Sequence, residues 1–122
     1  MVTVEAVERA LQPLRVHAVR EEWALQADIA ALLQAAGLPF RRECPLAPGC
    51  RIDFLAGGVG IEVKRGRPAA KPLREQVTRY ARCPEVEALL VVVEGKAFLP
   101  ARVGGKPCRV LSLSRNWGVA LP

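Results

Sequence analysis

No apolar run in this sequence of 122 residues approaches the ~20 residues that a membrane-spanning helix requires. The segment Met1 to Arg9 carries acidic residues early and lacks the basic-then-apolar order of a signal peptide, so the expected location is the cytosol. Histidine occurs once, at His17, and none of the four cysteines (Cys44, Cys50, Cys83, Cys108) forms a C-x-x-C pair. That argues against a zinc site. Reduced, partly buried thiols are the expectation for a cytosolic chain. Cys44 and Cys50 flank a turn-rich segment, Pro45, Pro48 and Gly49, and a bond across a hairpin is the alternative. The wealth of Arg, Pro and Ala beside a single asparagine, Asn116, would suit a thermophile, in which intracellular disulfides occur. Repeats, low-complexity tracts and linkers are also missing.

What is present is a basic balance. The formal net charge is +6, with Arg far outnumbering Lys. Such a surface favours polyanions, and nucleic acid is the commonest of them. About half of the residues are apolar, mostly Leu, Val and Ala, enough for one core in one domain spanning 1–122.

Apolar spacing predicts the elements. Val4, Val7, Ala10 and Leu11 recur at helical intervals up to Pro13. A longer helix is expected from Ala18 to Ala36, with Leu25, Ile29, Leu32 and Ala36 as its buried stripe and Gly37 as its C-terminal cap. Three strands follow: Phe40 to Cys44, ended by Pro45; Arg51 to Leu55; and Val59 to Lys64, the last two joined as a hairpin. Pro68 or Pro72 fits the first turn of a helix running to about Arg82, with Leu73, Val77 and Tyr80 on one side. Ala88 to Val93 is continuously apolar, as a strand buried on both faces should be. Pro100 to Pro107 reads as a loop holding Gly104 and Gly105, and Arg109 to Leu113 as the last strand. The expected class is α/β with a mixed sheet.

The informative stretch is Arg51 to Lys64. Glu62 and Lys64 stand two apart on one strand, so their side chains leave the same face, while Ile61 and Val63 enter the core. The preceding strand brings Asp53 beside them, with Ile52 and Phe54 directed to the opposite face. Two carboxylates and an ammonium thus converge across a hairpin. A solvated cross-strand ion pair, worth about 0.2–1 kcal/mol, is the plain explanation. A hard divalent cation such as Mg²⁺ offers another, because adjacent Asp and Glu supply its oxygen ligands.

Asp53 followed by Glu62-Val63-Lys64 resembles the PD-(D/E)xK nuclease superfamily, whose fold is restriction-endonuclease-like. The resemblance covers roughly Glu21 to Leu113 and extends to the α-β-β-β-α-β order, here with an extra C-terminal strand. It also takes in Gln76-Val-Thr-Arg-Tyr80, since several branches of the family carry a Gln and a Tyr at that separation. Ile52 departs from it, standing where the name pattern has Pro. The resemblance implies a phosphodiester hydrolase with catalytic Asp53, Glu62, Lys64 and Gln76. Asp53, Glu62 and the carbonyl of Val63 would hold Mg²⁺, with Mn²⁺ as substitute. Small stand-alone members include phage and repair or recombination nucleases, and junction cleavage would require a homodimer.

Further candidates surround this set. Arg65, Arg67 and Lys71 precede a helix N-terminus suited to phosphate, and Arg79 and Tyr80 share a helix face with Gln76. Glu22, Gln26 and Glu43 are candidates for a further acidic or polar contribution. Trp23 and Trp117 are expected in core or edge packing, with base stacking as the alternative. The leading expectation is a metal-dependent nuclease acting on DNA in preference to RNA, directed by structure or ends more than by sequence. The alternative is a catalytically silent nuclease-fold module that binds nucleic acid.

Overall fold

The structure, a computed structural model, describes residues 2–15 and 22–113. Helix α1 (Val4–Ala10) begins at Thr3, whose hydroxyl accepts a bond from the Ala6 N–H at 3.1 Å. That cap satisfies a donor the first helical turn leaves free. Helix α2 (Glu22–Ala35) buries Leu25, Ile29 and Leu33. The expected stripe is corrected at its end: steps of four carry it to Leu33, leaving Leu32 half-buried and Ala36 exposed. Gly37 closes the helix with φ +72°, and Leu38 N–H donates back to the Leu33 carbonyl. This is the left-handed ending that glycine adopts without steric cost. The expected start at Ala18 lies outside the described residues, as do His17, Asn116 and Trp117.

Six strands form one mixed sheet in the order β1-β2-β3-β4-β6-β5. They are β1 (Arg41–Ala47), β2 (Cys50–Ala56), β3 (Val59–Lys64), β4 (Ala88–Val93), β5 (Arg102–Val103) and β6 (Lys106–Ser112), with α3 (Ala70–Ala81) between β3 and β4. β1, β2 and β3 pair antiparallel, whereas β3, β4 and β6 pair parallel. Pro45 does not end β1. The strand continues to Ala47 because it lies at the sheet edge, where a missing N–H breaks no ladder. The expected loop from Pro100 to Pro107 is likewise corrected to a hairpin, in which β5 returns as β6 through Gly104 and Gly105. Two residues of strand are too few to show alternation.

The sheet separates two apolar clusters. Val4, Val7 and Leu11 of the α1 segment, with Leu25, Ile29 and Leu33 of α2, meet Phe54, Ile61, Val63, Leu90 and Val92. Leu73, Val77 and Tyr80 of α3 meet Ile52, Leu89, Val91 and Val93 on the opposite face. β4 therefore alternates between the clusters and is buried throughout. Among the described residues no helix is long and apolar enough to cross a membrane.

Candidate active site

The α3-facing side of β3 reads Gly60, Glu62 and Lys64, since Ile61 and Val63 face α2. Gly60 accommodates Ile52: a Cβ there would stand 2.6 Å from the Ile52 Cδ1. Ile52 thus belongs to the α3-side cluster and not, as alternation predicts, to the face of Phe54. The irregularity has a cause in the ladder. β2 and β3 pair at Phe54–Ile61, Leu55–Gly60 and Ala56–Val59, and the pairing goes no further. Where it stops, side chains replace the backbone. The Val63 N–H donates to Asp53 Oδ2 at 2.8 Å, and the Asp53 N–H to Glu62 Oε1 at 3.4 Å.

Glu62 is the one charged residue buried among the described residues, at 5% exposure. An ionised carboxylate in such a place must be paired and hydrogen-bonded. Lys64 Nζ lies 3.2 Å from Oε2, Gln76 Nε2 donates to Oε2 at 3.2 Å, and the Tyr80 hydroxyl is 3.1 Å from Oε1. Gln76 Nε2 also lies 2.9 Å from the Tyr80 oxygen, which is 3.0 Å from the Arg51 carbonyl. Gln76 and Tyr80, one turn apart on α3, therefore lock the carboxylate in place. Gln76, which the resemblance makes catalytic, is bonded here to Glu62. Alternation along β2 gives no hint that Arg51 offers its carbonyl here.

Burial pushes the Glu62 carboxyl up to about 7, with the neighbouring Asp53 adding to the rise and Lys64 opposing it. Asp53 is raised as well, first by burial, against the lowering effect of the Val63 N–H, and further by Glu43 and Glu22. Burial also lifts the Tyr80 hydroxyl far above its ordinary value. Two carboxylates thus share a half-enclosed place with a single ammonium, and negative charge is under-compensated. Glu22 and Glu43, both exposed, enter the field of Asp53, whereas Gln26 hydrogen-bonds to neither carboxylate. Glu43 lies between the pairs Arg42–Phe54 and Cys44–Ile52, directly across from Asp53, with φ +48°. A left-handed non-glycine residue is costly and recurs at functional positions.

Beside the carboxylates, Lys64, Pro68, Pro72, Gln76 and Arg79 line a concavity of about 260 Å³ that includes the start of α3. Ala69, the N-cap of α3, makes no side-chain cap bond, and no acidic residue occupies the first turn. That helix end offers N–H groups and a positive dipole to an anion. Arg67 and Lys71 are exposed nearby in sequence, but Arg65 is tied to Glu94 in an ion pair. Trp23 is not packed in the core; it is 71% exposed at the start of α2. Cys44 and Cys50 are both free thiols. Cys44 stands opposite Ile52 and Cys50 opposite Ala47, so the hairpin does not juxtapose them.

No protein-family model matches the chain, and comparison with curated proteins and with solved structures gives no match. The site therefore stands on its own chemistry. Among the described residues no group of three or more His, Cys, Asp or Glu is placed to hold a metal. The oxygen donors at hand are a carboxylate pair with neighbouring backbone carbonyls. This suits Mg²⁺, which binds through one or two carboxylates and keeps several waters.

Proposed function

We propose that the protein is a divalent-metal-dependent nuclease of the PD-(D/E)xK type, hydrolysing phosphodiester bonds of DNA at Asp53, Glu62 and Lys64. The observation that carries this reading is the opened β2–β3 ladder, where two carboxylates with raised affinity for protons lie beside one ammonium. A divalent cation would relieve the repulsion that Lys64 only partly offsets. The strand order and the helix between β3 and β4 are compatible with a restriction-endonuclease-like core.

Asp53, Glu62 and the Val63 carbonyl would hold Mg²⁺. When bound, it would supply Lewis acidity at the scissile phosphate and make the attacking water more acidic. Lys64 would steady charge developing on the phosphate and position the water. Gln76 and Tyr80 fix the Glu62 carboxylate, and the α3 N-terminus with Arg79 would receive a phosphate oxygen. A second reading, a nucleic-acid-binding module without cleavage, draws on one observation. Both Glu62 oxygens already have partners in Lys64, Gln76 and Tyr80.

The deciding experiment is cleavage of a panel of single-stranded, duplex, nicked, flapped and four-way-junction DNA, with RNA alongside. It is run in Mg²⁺, Mn²⁺ or EDTA, with Asp53→Ala as control. Metal-dependent cutting that the variant loses supports the nuclease; binding without cutting in every metal supports the module.

A further inference from the structure

The outer side of α3 and the β5 hairpin enclose a groove of about 500 Å³ lined by Arg74, Arg79, Arg82 and Arg102, with Glu75 as its only acid. The helix supplies this lining by spacing, since Arg74, Thr78 and Arg82 recur every four residues along one side. The hairpin is seated on the helix: a Cβ at Gly104 would lie 3.3 Å from that of Ala81. Arg102 is held by a bond to the Gly105 carbonyl at 2.6 Å.

All four groove arginines are exposed, and among the described residues none is in an ion pair. Elsewhere Arg41, Arg65 and Arg109 each face a carboxylate. Uncompensated guanidinium groups gathered in a concavity suit phosphate, whose oxygens accept their forked donors. Arg79 lines this groove and also the concavity beside Lys64 and Gln76, so the two adjoin at that side chain. Apolar lining is limited to Pro100 and Val103, which leaves little for the buried anchors a protein partner would use.

We infer that this groove carries the phosphodiester backbone of the nucleic-acid substrate away from the cleavage site, an assignment that rests on the nuclease reading above. Along the helix the groove lining runs from Arg74 to Arg82, about 12 Å at ~1.5 Å per residue. At ~3.4 Å of duplex axis per phosphate of one strand, it accommodates roughly four phosphates. Contacts of this kind give affinity and register without sequence information.

The test measures binding of a fluorescein-labelled 20-mer, single-stranded and duplex, by anisotropy in EDTA across a salt series. Wild type is compared with R74Q/R82Q/R102Q and with R9Q/R41Q/K96Q, which removes three exposed charges outside the groove. The expected result is at least tenfold weaker binding for the groove variant alone, with a salt slope shallower by about 2–3. Equal losses in both variants would overturn the assignment, because net charge would then suffice. So would unchanged binding, or wild-type protein that binds poly-glutamate and not DNA. Binding in EDTA is read independently of cutting, so an absence of metal-dependent cleavage would sink the nuclease reading and leave this measurement intact. In Mg²⁺ the groove variant should raise KM for long substrates and leave kcat unchanged.

Discussion

β3 and β4 run side by side in parallel register, Glu62 beside Val91, and both are buried, yet they use that burial differently. Every side chain of β4 is apolar and meets one of the two clusters. On β3 the α2-facing residues do the same, while the α3-facing side holds a glycine, a carboxylate and a lysine. A carboxylate at that depth loses hydration, and its rise to about 7 reports the loss. Lys64, Gln76 and Tyr80 offset only part of it. One central strand thus stabilises the sheet, and its neighbour gives up stability to hold a buried carboxylate.

The largest expected effect separates the strands by function. On the nuclease reading, Asp53→Ala should lower metal-dependent cleavage about 1,000-fold, on the order of 4 kcal/mol of transition-state stabilisation, well beyond the roughly 1–3 kcal/mol of stability that the unsatisfied Val63 N–H would cost. Single-turnover rates check this, and a variant retaining a tenth of the activity would remove Asp53 from the reaction. Leu90→Ala, on the strand without chemistry, should cost about 2–5 kcal/mol in urea unfolding. A loss below 1 kcal/mol would show that β4 is not a tightly packed centre of the sheet.

The pH dependence sharpens the comparison. With its carboxyl raised from 4.5 to about 7, Glu62 keeps a proton in the native state that the unfolded chain has released between those values. Stability without metal is therefore greatest below the unfolded value and declines as pH rises through about 7, by roughly 3 kcal/mol at most. Asp53, also raised, contributes in the same direction. Glu62→Gln should flatten that decline and exceed wild type in Tm at pH 8 in EDTA; equal pH profiles would contradict the strain assigned to β3. The smallest effect belongs to the strand opposite Asp53. Glu43→Gly should raise stability by about 0.5–1 kcal/mol by relieving the left-handed backbone, read as a shift in urea midpoint. An unchanged midpoint would show that no strain is stored there.

Legibility followed the strength of the local signal. Val59 to Lys64 and Ala88 to Val93 were read to the residue, because glycines, prolines and uninterrupted apolar runs mark them. The α2 stripe slipped by one position near its end, where Leu32 and Leu33 are equally apolar and only the packing direction separates them. β5 was missed because its two residues are strand only through pairing with β6. Gln76 and Tyr80 were placed on the correct helix side, but their shared partner, Glu62, depends on how α3 crosses the sheet.

The sequence by itself determined which residues share a face: Glu62 with Lys64 through the twofold period of a strand, Gln76 with Tyr80 through the turn of a helix. These relations are local and follow from backbone geometry. Only the tertiary structure decided that the β2–β3 ladder stops at Phe54 and Ile61, that Ile52 leans over Gly60, and that Asp53 satisfies the Val63 N–H. It also decided that Arg102 joins Arg74 and Arg82 in one groove. Such contacts join residues distant along the chain, and their geometry is set by packing around a core that no short window of sequence contains.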